Sequence, residues 1–167
     1  MQTREKIIVI VIFKFINFFI SNHKKRAILL NKIFSNFKFS NNVNIRRNVT
    51  FYGKGSLIIG ENSFINEECF LDFSSKIIIG NNVALGMRTM VLSSSHNIGI
   101  KRCGEIKRKC TVIKNNVWIG AGVTIYPGII IGEGSIISAG EIVDVNVPDN
   151  VILKQGKFIK LDESKLK

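Results

Sequence analysis

His96 is the side chain in this sequence best suited to chemistry near neutral pH. It follows three consecutive serines at 93–95 and precedes residues 97–112, a segment that differs in pattern from its surroundings. A neutral imidazole has a pKa of about 6.5 and can accept a proton from an alcohol. The position therefore predicts a general base, with a solvated loop histidine as the alternative. The other histidine, His23, lies in a basic run and is expected to be solvated.

The neighbouring serines and the cysteines are weaker candidates for chemistry. Adjacent side chains on a strand point to opposite faces, so Ser95 would be poorly aimed at His96 as a nucleophile. The chain also lacks the G-x-S-x-G turn of serine hydrolases. Its three cysteines, Cys69, Cys103 and Cys110, include no C-x-x-C pair, which argues against a disulfide framework and a zinc site. We therefore predict no metal, and reduced thiols in a cytoplasmic protein.

A six-residue repeat organises the elements that must position His96. An aliphatic residue recurs every six positions in the C-terminal part, at Ile113, Ile119, Ile125, Ile131, Ile137 and Val143. The same period occurs earlier in three sets, whose first residues are Phe39, Ile59 and Ile79. Pairs of Asn, Glu or Gly fall between the units, at 41–42, 61–62, 81–82, 115–116 and 133–134. These residue types tolerate the positive φ of tight corners.

The period of six predicts the fold. Six residues make one short strand and one turn, and three such units close a triangular coil whose aliphatic residues point to the axis. We therefore predict an all-β parallel β-helix of about five coils over residues 39–153, interrupted by a loop at 97–112. An apolar-basic segment with short helices precedes it at 1–38, and a tail follows at 154–167. An α/β domain would need helical stretches between the strands, and residues 43–153 show no sustained helical period.

The charge balance narrows the possible partners. The chain has 24 Lys+Arg against 12 Asp+Glu, a net charge of +12, which suits nucleic acid, an anionic membrane or a phosphate-rich cofactor. No helix-turn-helix, zinc-finger or RNA-recognition pattern accompanies it, so nucleic acid is not expected. The apolar stretch 7–20 is too short to span a bilayer. With the basic run 23–26 it predicts helices that either lie in a membrane interface or pack on the main domain.

The stretch VWIGAGVTIYPGIIIGEGSIISAGEIVDVNVPDN, residues 117–150, carries a resemblance to a known family. It resembles the terminal coils of the hexapeptide-repeat acyltransferases, in particular the galactoside, maltose, xenobiotic and polysaccharide O-acetyltransferase branch. The resemblance implies a left-handed β-helix, acetyl-CoA as co-substrate, and direct attack of a hydroxyl without an acyl-enzyme. It also implies that His96, at the position matching the family's Ser-His, is the general base.

The resemblance further implies contacts with acetyl-CoA. Trp118 matches the family's tryptophan beside the pantetheine arm, and is expected to point outward at a corner of the coil. Ala121 and Ala139 match two small corner residues that leave backbone N–H groups open to the pantetheine and the thioester. Packing at a subunit interface is the alternative for Trp118, and a simple fit to tight corners is the alternative for the alanines.

Two further sets of residues complete the expected site. Lys154 and Lys157 are candidates for the nucleotide end of acetyl-CoA, although relatives typically have a Thr-Lys pair where Asp144-Val145 stands. Asp72, one coil below Leu92, is the candidate for binding acceptor hydroxyls, and a solvated surface carboxylate is its alternative. Lesser candidates on the acceptor side are Asn66 and Glu68.

Outward apolar residues on the predicted faces suggest association, since a thin prism with exposed apolar stripes buries them most simply about a threefold axis. These residues are Phe64, Phe70, Met87, Met90 and Trp118. The family forms homotrimers with active sites between subunits. The leading hypothesis is O-acetylation of a sugar or of a surface-polysaccharide precursor, at the cytoplasmic face of a membrane. The alternatives are a serine or xenobiotic O-acetyltransferase, and a non-catalytic β-helix scaffold.

Overall fold

The computed structural model describes residues 16, 19–98 and 104–161. Within these residues the chain forms one helix, α1 (His23–Ile33), and nineteen short strands. The strands before the predicted loop are β1 Phe37–Phe39, β2 Asn44–Ile45, β3 Thr50–Tyr52, β4 Ser56–Ile59, β5 Phe64–Ile65, β6 Phe70–Asp72, β7 Lys76–Ile79, β8 Ala84–Leu85 and β9 Met90–Leu92. The later ones are β10 Ser94–His96, β11 Ile106–Arg108, β12 Thr111–Ile113, β13 Trp118–Ile119, β14 Thr124–Ile125, β15 Ile130–Ile131, β16 Ile136–Ile137, β17 Ile142–Val143, β18 Val151–Lys154 and β19 Lys157–Lys160.

Three parallel sheets form the walls of a triangular column. Face I contains β1-β4-β7-β12-β15, face II contains β2-β5-β8-β13-β16-β18 with β19 added antiparallel, and face III contains β3-β6-β9-β14-β17. The chain passes from I to II to III in every coil, so it winds through about six turns. This confirms the predicted β-helix and adds roughly one turn, because β18 continues face II beyond the predicted last coil.

Three edges join the faces and are named here by their residues. Edge 1 joins faces I and II at 60–63, 80–83, 114–117 and 132–135. Edge 2 joins II and III at 66–69, 86–89, 120–123 and 138–141. Edge 3 joins III and I at 73–75, 93–110, 126–129 and 144–146. The interruption of the repeat therefore falls on edge 3.

The core is a set of vertical ladders one side chain thick. The six C-terminal aliphatics predicted to point inward are all at most 1% exposed. Small polar residues that also point inward donate to carbonyls of the next coil: Ser63 Oγ to Gly80 O at 2.8 Å and Thr89 Oγ1 to Gly120 O at 3.1 Å. Cys69 occupies a similar place, and burial raises the pKa of its thiol to about 11.

Edge 1 has the geometry that its Asn-rich sequence predicts. Asn62, Asn82 and Asn116 have φ between 55° and 58°, which Asn accommodates better than most residues. Asparagine side chains also satisfy backbone amides of the coil below: Asn81 Oδ1 accepts from Glu61 N at 2.8 Å, and Asn115 Oδ1 accepts from Asn81 N at 2.9 Å. The edge is therefore tied along the column by side chains as well as by the strands.

Helix α1 covers the N-terminal end of the column. Its N-cap Asn22 accepts from Lys25 N at 3.0 Å, and it buries Ala27, Leu30 and Arg26. The guanidinium of Arg26 donates to Ile45 O at 2.7 Å and to Ile20 O. The described part of the N-terminal segment thus packs on the first coil, one of the two predicted arrangements.

Most of the predicted apolar stretch 7–20 lies outside the described residues. The exposed side of α1 carries Ile28 and Ile33 beside Lys24, Lys25 and Lys32. Among the residues that the structure describes, no helix is long and apolar enough to cross a bilayer.

Candidate functional site

His96 lies at the end of an antiparallel hairpin that projects from edge 3. Strands β10 and β11 pair with His96 opposite Ile106, and Asn97 N donates to Glu105 O at 2.9 Å. The exposed imidazole places Nδ1 2.9 Å from the carbonyl oxygen of Gly104. A carbonyl only accepts, so this contact assigns the proton to Nδ1 and leaves the lone pair on Nε2. The geometry thus provides an imidazole that is held in one tautomer and can accept a proton.

Hydrogen bonds to the rigid coil hold the base of the hairpin. Thr111 Oγ1 donates to Leu92 O at 2.6 Å and accepts from Gly128 N at 3.0 Å. Lys109 N donates to Ser93 O at 2.9 Å. Both strands of the hairpin are thereby attached where they leave the column, so the position of His96 is determined by the fold.

Asp72 contributes to the same attachment. It is 5% exposed, accepts from Ser94 Oγ at 2.5 Å and accepts from Ser74 N at 2.9 Å. Asp72 pairs with Leu92 in the register of β6 and β9, as predicted. The structure thus places Asp72 beneath the hairpin that carries His96, with its carboxylate directed to protein donors rather than to solvent.

An open groove of about 640 Å³ runs from His96 up edge 3. The hairpin contributes Ser95, Lys107 and Lys109 to it, the next coil contributes Tyr126, Pro127 and Gly128, and the coil above contributes Asp144 and Asn146. Tyr126 and the lysines of the hairpin were not among the residues predicted for the site. Tyr126 could have been identified from the sequence, because it is the outward residue one coil above the interruption of the repeat.

Ala121 and Ala139 lie one above the other on edge 2. Gly140 N donates to Ala121 O at 2.9 Å, and Gly122 N donates to Met87 O at 2.8 Å. In the part of the chain that the structure describes, no hydrogen bond satisfies the amide N–H of either alanine. On edge 1 the equivalent amides of Glu61, Asn81 and Glu133 are satisfied by the side chains of Asn81, Asn115 and Asp149, whereas a methyl side chain cannot do this. Two backbone donors on edge 2 are therefore left without a partner among the described residues.

Trp118 lies on β13 in face II, rather than at a corner of the coil as expected. It pairs with Ala84 below and Ile136 above, and it is 59% exposed. The expectation was wrong on this point because a two-residue strand places its outward residue before its inward one, on the flat face. The predicted outward direction of the indole is confirmed.

Lys154 and Lys157 face each other across the hairpin of β18 and β19. Glu141, at the top of edge 2, accepts from Gln155 N and from Gly156 N, the latter at 3.2 Å. The predicted tail therefore begins with a strand that extends face II. Both lysines are exposed and lie above Ala139 on the same side of the column.

The two lesser acceptor-side candidates lie on edge 2. Asn66 Oδ1 accepts from Glu67 N at 2.8 Å, and Glu68 forms an ion pair with Arg88 at 2.7 Å. Within one chain, the width of face III separates edge 2 from edge 3. The structure consequently brings Ala121, Ala139 and the two lysines to one side, and His96 and Asp72 to another.

Comparison with known proteins adds to this geometry. Residues 110–140 match the family model described as bacterial transferase hexapeptide (six repeats). A putative acetyltransferase of Schizosaccharomyces pombe is 38% identical over 132 residues, covering 77% of this chain and 63% of that protein. The chain spans 52–63% of the lengths of the curated relatives that it matches.

Two solved structures share the fold over most of the chain. A maltose O-acetyltransferase from Clostridium difficile 630 is 27% identical, with a TM-score of 0.78 over 90% of this chain and 82% of that one. A galactoside acetyltransferase in complex with coenzyme A is 26% identical, with a TM-score of 0.82 over 93% of this chain and 80% of that one. Together these matches confirm the resemblance to the hexapeptide-repeat transferases and the left-handed parallel β-helix as the fold of this chain.

Proposed function

We propose that this protein is an acetyl-CoA-dependent O-acetyltransferase whose acceptor is a hydroxyl of a sugar or of a surface-polysaccharide precursor, with His96 as general base. The observation that supports this most directly is the contact between His96 Nδ1 and Gly104 O, which leaves Nε2 able to accept a proton beside an open groove. The similarity to galactoside and maltose acetyltransferases supports the choice of reaction and acceptor class.

The proposed reaction is a direct transfer. Nε2 of His96 takes the proton of the acceptor hydroxyl as its oxygen attacks the thioester carbonyl. The carbonyl oxygen becomes negatively charged, and a backbone N–H donor would stabilise it. The C–S bond then breaks, and the imidazolium returns the proton to the leaving thiolate. The products are the acetyl ester and coenzyme A, and no residue of the chain is acylated.

Edge 2 supplies the residues proposed to bind acetyl-CoA. The free N–H groups of Ala121 and Ala139 suit the carbonyl groups of the pantetheine arm and the thioester. Trp118 offers an exposed indole beside this edge. Lys154 and Lys157 provide positive charge above this edge for the phosphates at the nucleotide end of acetyl-CoA. This chain differs from its relatives nearby, because Asp144-Val145 occupies the position where they typically have Thr-Lys.

We propose a homotrimer because these residues are divided between two edges of the chain. Acetyl-CoA on edge 2 must reach His96 on edge 3, and face III separates the two edges within one chain. Edge 2 of one copy placed against edge 3 of a second copy brings both halves together. A threefold axis forms three such sites, because this contact is heterologous and closes as a ring.

The exposed side of α1 suggests that the protein binds its acceptor at a membrane surface. Ile28 and Ile33 with their neighbouring lysines form an apolar-basic surface, which is the composition that favours an anionic membrane interface. A cytoplasmic enzyme at the inner face of the membrane would there meet lipid-linked glycan precursors.

Release of free thiol from acetyl-CoA, measured with a panel of sugars and glycan precursors, tests the proposal. His96→Ala should lower turnover by at least about 10²-fold, the usual contribution of a general base. His23→Gln, whose side chain can still accept a hydrogen bond from Arg46, is the control and should retain activity. Activity of the His96 variant equal to that of the wild type would remove the proposed mechanism, and the absence of acetylated product with every acceptor would remove the proposed reaction.

A further inference from the structure

The groove beside His96 carries unpaired positive charge. Among the described residues the ion pairs are Arg88–Glu68 and Lys114–Asp149, and neither lies on edge 3. The hairpin side of the groove contributes Lys107 and Lys109, and the opposite end contributes Asp144. Two cations and one carboxylate thus line the groove in which the acceptor is proposed to lie.

Lys109 is placed in this groove by contacts of its backbone and its aliphatic stem. Its N–H donates to Ser93 O at 2.9 Å, and its side chain lies against the backbone of Gly128. A Cβ at Gly128 would stand 2.5 Å from Lys109 Cδ and 2.9 Å from Lys109 Cβ. The absence of a side chain at Gly128, whose φ is +85°, is what lets the lysine stem pack there.

Lys107 reaches the same space from the hairpin. It pairs with Ser95 in the antiparallel register, and directly opposed side chains of such a pair lie on the same face. Both Ser95 and Lys107 line the groove, next to His96. Lys109 follows two positions later on the same arm of the hairpin, so both lysine side chains lie on one face and line the same groove.

Tyr126 supplies an apolar surface between the two charged ends. Its ring is 45% exposed and lies one coil above the hairpin base, followed by Pro127. An exposed aromatic ring in a polar groove suits the C–H face of a sugar ring, and Asp144 above it can accept hydrogen bonds from hydroxyl groups. The groove therefore has a surface for a sugar ring and, beside it, two cations that a neutral sugar would leave unpaired.

We propose that the acceptor is an anionic sugar, with a phosphate or carboxylate group that Lys107 and Lys109 bind while the ring lies on Tyr126. This inference rests on the proposed acetyl transfer at His96. A phosphate of acetyl-CoA is the other source of the same chemistry, and separate measurements on acceptor and co-substrate distinguish the two.

The test compares matched pairs of probes, glucose 1-phosphate with glucose and galacturonate with galactose. Binding is measured by calorimetry without acetyl-CoA, and KM values are measured for the acceptors and for acetyl-CoA. The variant is Lys107→Gln/Lys109→Gln, and its charge-matched control is Lys38→Gln/Lys54→Gln, whose exposed lysines lie outside the groove. Exposed ion pairs contribute up to about fivefold each, so the wild type should bind the anionic probe of at least one pair roughly five- to twentyfold more tightly.

The expected result is that this preference disappears in the groove variant, remains in the control, and weakens as salt is added. Equal binding of charged and neutral probes by the wild type, or no binding of either anionic probe, would overturn the inference. So would a rise in the KM of acetyl-CoA with unchanged acceptor preference. If the preference is present but no acetyl group is transferred, only the proposed function fails; if transfer occurs without the preference, only this inference fails.

Discussion

Ala139→Asn would introduce on edge 2 the hydrogen bond that edge 1 already has. On edge 1, Asn81 Oδ1 accepts from Glu61 N at 2.8 Å and Asn115 Oδ1 accepts from Asn81 N at 2.9 Å. Ala139 stands above Ala121 in the same relation, and each corner continues with a residue of positive φ, Asn82 on edge 1 and Gly140 on edge 2. An asparagine at 139 should therefore satisfy the free N–H of Ala121.

Ala139→Asn should raise the stability of the protein and weaken its binding of acetyl-CoA. A hydrogen bond of this kind contributes about 0.5–1.5 kcal/mol to stability, which for a chain of this size raises Tm by roughly 1–5 °C. Acetyl-CoA loses one donor of the same strength, so its KM should rise about three- to tenfold. If one substitution stabilises the protein and also weakens the binding of acetyl-CoA, the amide that it pairs is one that the wild type leaves free for a ligand.

Three measurements separate this explanation from steric effects. Thermal unfolding gives Tm, thiol release gives the KM of acetyl-CoA, and amide hydrogen exchange reports the Ala121 N–H directly. Ala139→Val adds comparable bulk without an acceptor, so it should leave exchange at Ala121 fast and should not raise Tm. Asn115→Ala is the reverse change on edge 1, and should lower stability by about 1 kcal/mol without affecting acetyl-CoA.

Protection of the Ala121 amide from exchange in the ligand-free wild type would contradict this prediction. A lower Tm in Ala139→Asn would contradict it too, as would a rise in the KM of acetyl-CoA in Ala139→Val equal to that in Ala139→Asn. The last result would mean that the edge requires small volume and that its free amide is incidental.

Two further predictions concern other parts of the fold. Asp72→Ala leaves Ser94 Oγ and Ser74 N without their acceptor, so we expect a loss of about 2–4 kcal/mol by thermal unfolding and much less for Asp72→Asn; unchanged stability with a raised acceptor KM would instead assign Asp72 to the acceptor. The expectation that His23 is solvated was wrong, since the side chain is half-buried and its Nε2 accepts from Arg46 at 2.8 Å, which requires the neutral form; burial, with the nearby arginines, lowers its pKa. Its contribution to stability is therefore present above the unfolded pKa of about 6.5 and is lost as pH falls through the lower folded value; Tm measured from pH 8 to 5 should fall less steeply in His23→Gln, and parallel curves would contradict the assignment.

The fold was predictable because one periodicity determines it. An aliphatic residue every six positions has a single efficient solution, in which Ile113, Ile119 and Ile125 occupy three faces of one coil, and all three are fully buried. The corners were equally predictable, since Asn62, Asn82 and Asn116 recur where positive φ is needed. Local rules of this kind act within a few residues and can be recognised from the sequence.

The site was predictable only where it follows the same local rules. His96 was identifiable because the repeat stops beside it, but its hydrogen bond to Gly104 depends on how the hairpin closes. The burial of Asp72 depends on Ser94, 22 residues away in sequence and one coil above. Contacts between coils combine the register with side-chain rotamers, and the spacing of residue types does not contain that information.

The two edges that carry the proposed site differ from edge 1 in the contacts that their side chains make. On edge 1, oxygens of Asn81, Asn115 and Asp149 satisfy the amides of Glu61, Asn81 and Glu133 in the coil below. On edge 2, Ala121 and Ala139 stand at two of the equivalent positions, and among the described residues neither amide has a hydrogen-bond partner. On edge 3, the hairpin that carries His96 replaces the short turn after the third coil. Because stacking of the coils pairs most backbone N–H and C=O groups of a β-helix, the positions where an N–H group stays unpaired are candidates for ligand binding. They can be sought in any sequence of this kind by asking, edge by edge, where the Asn ladder is absent.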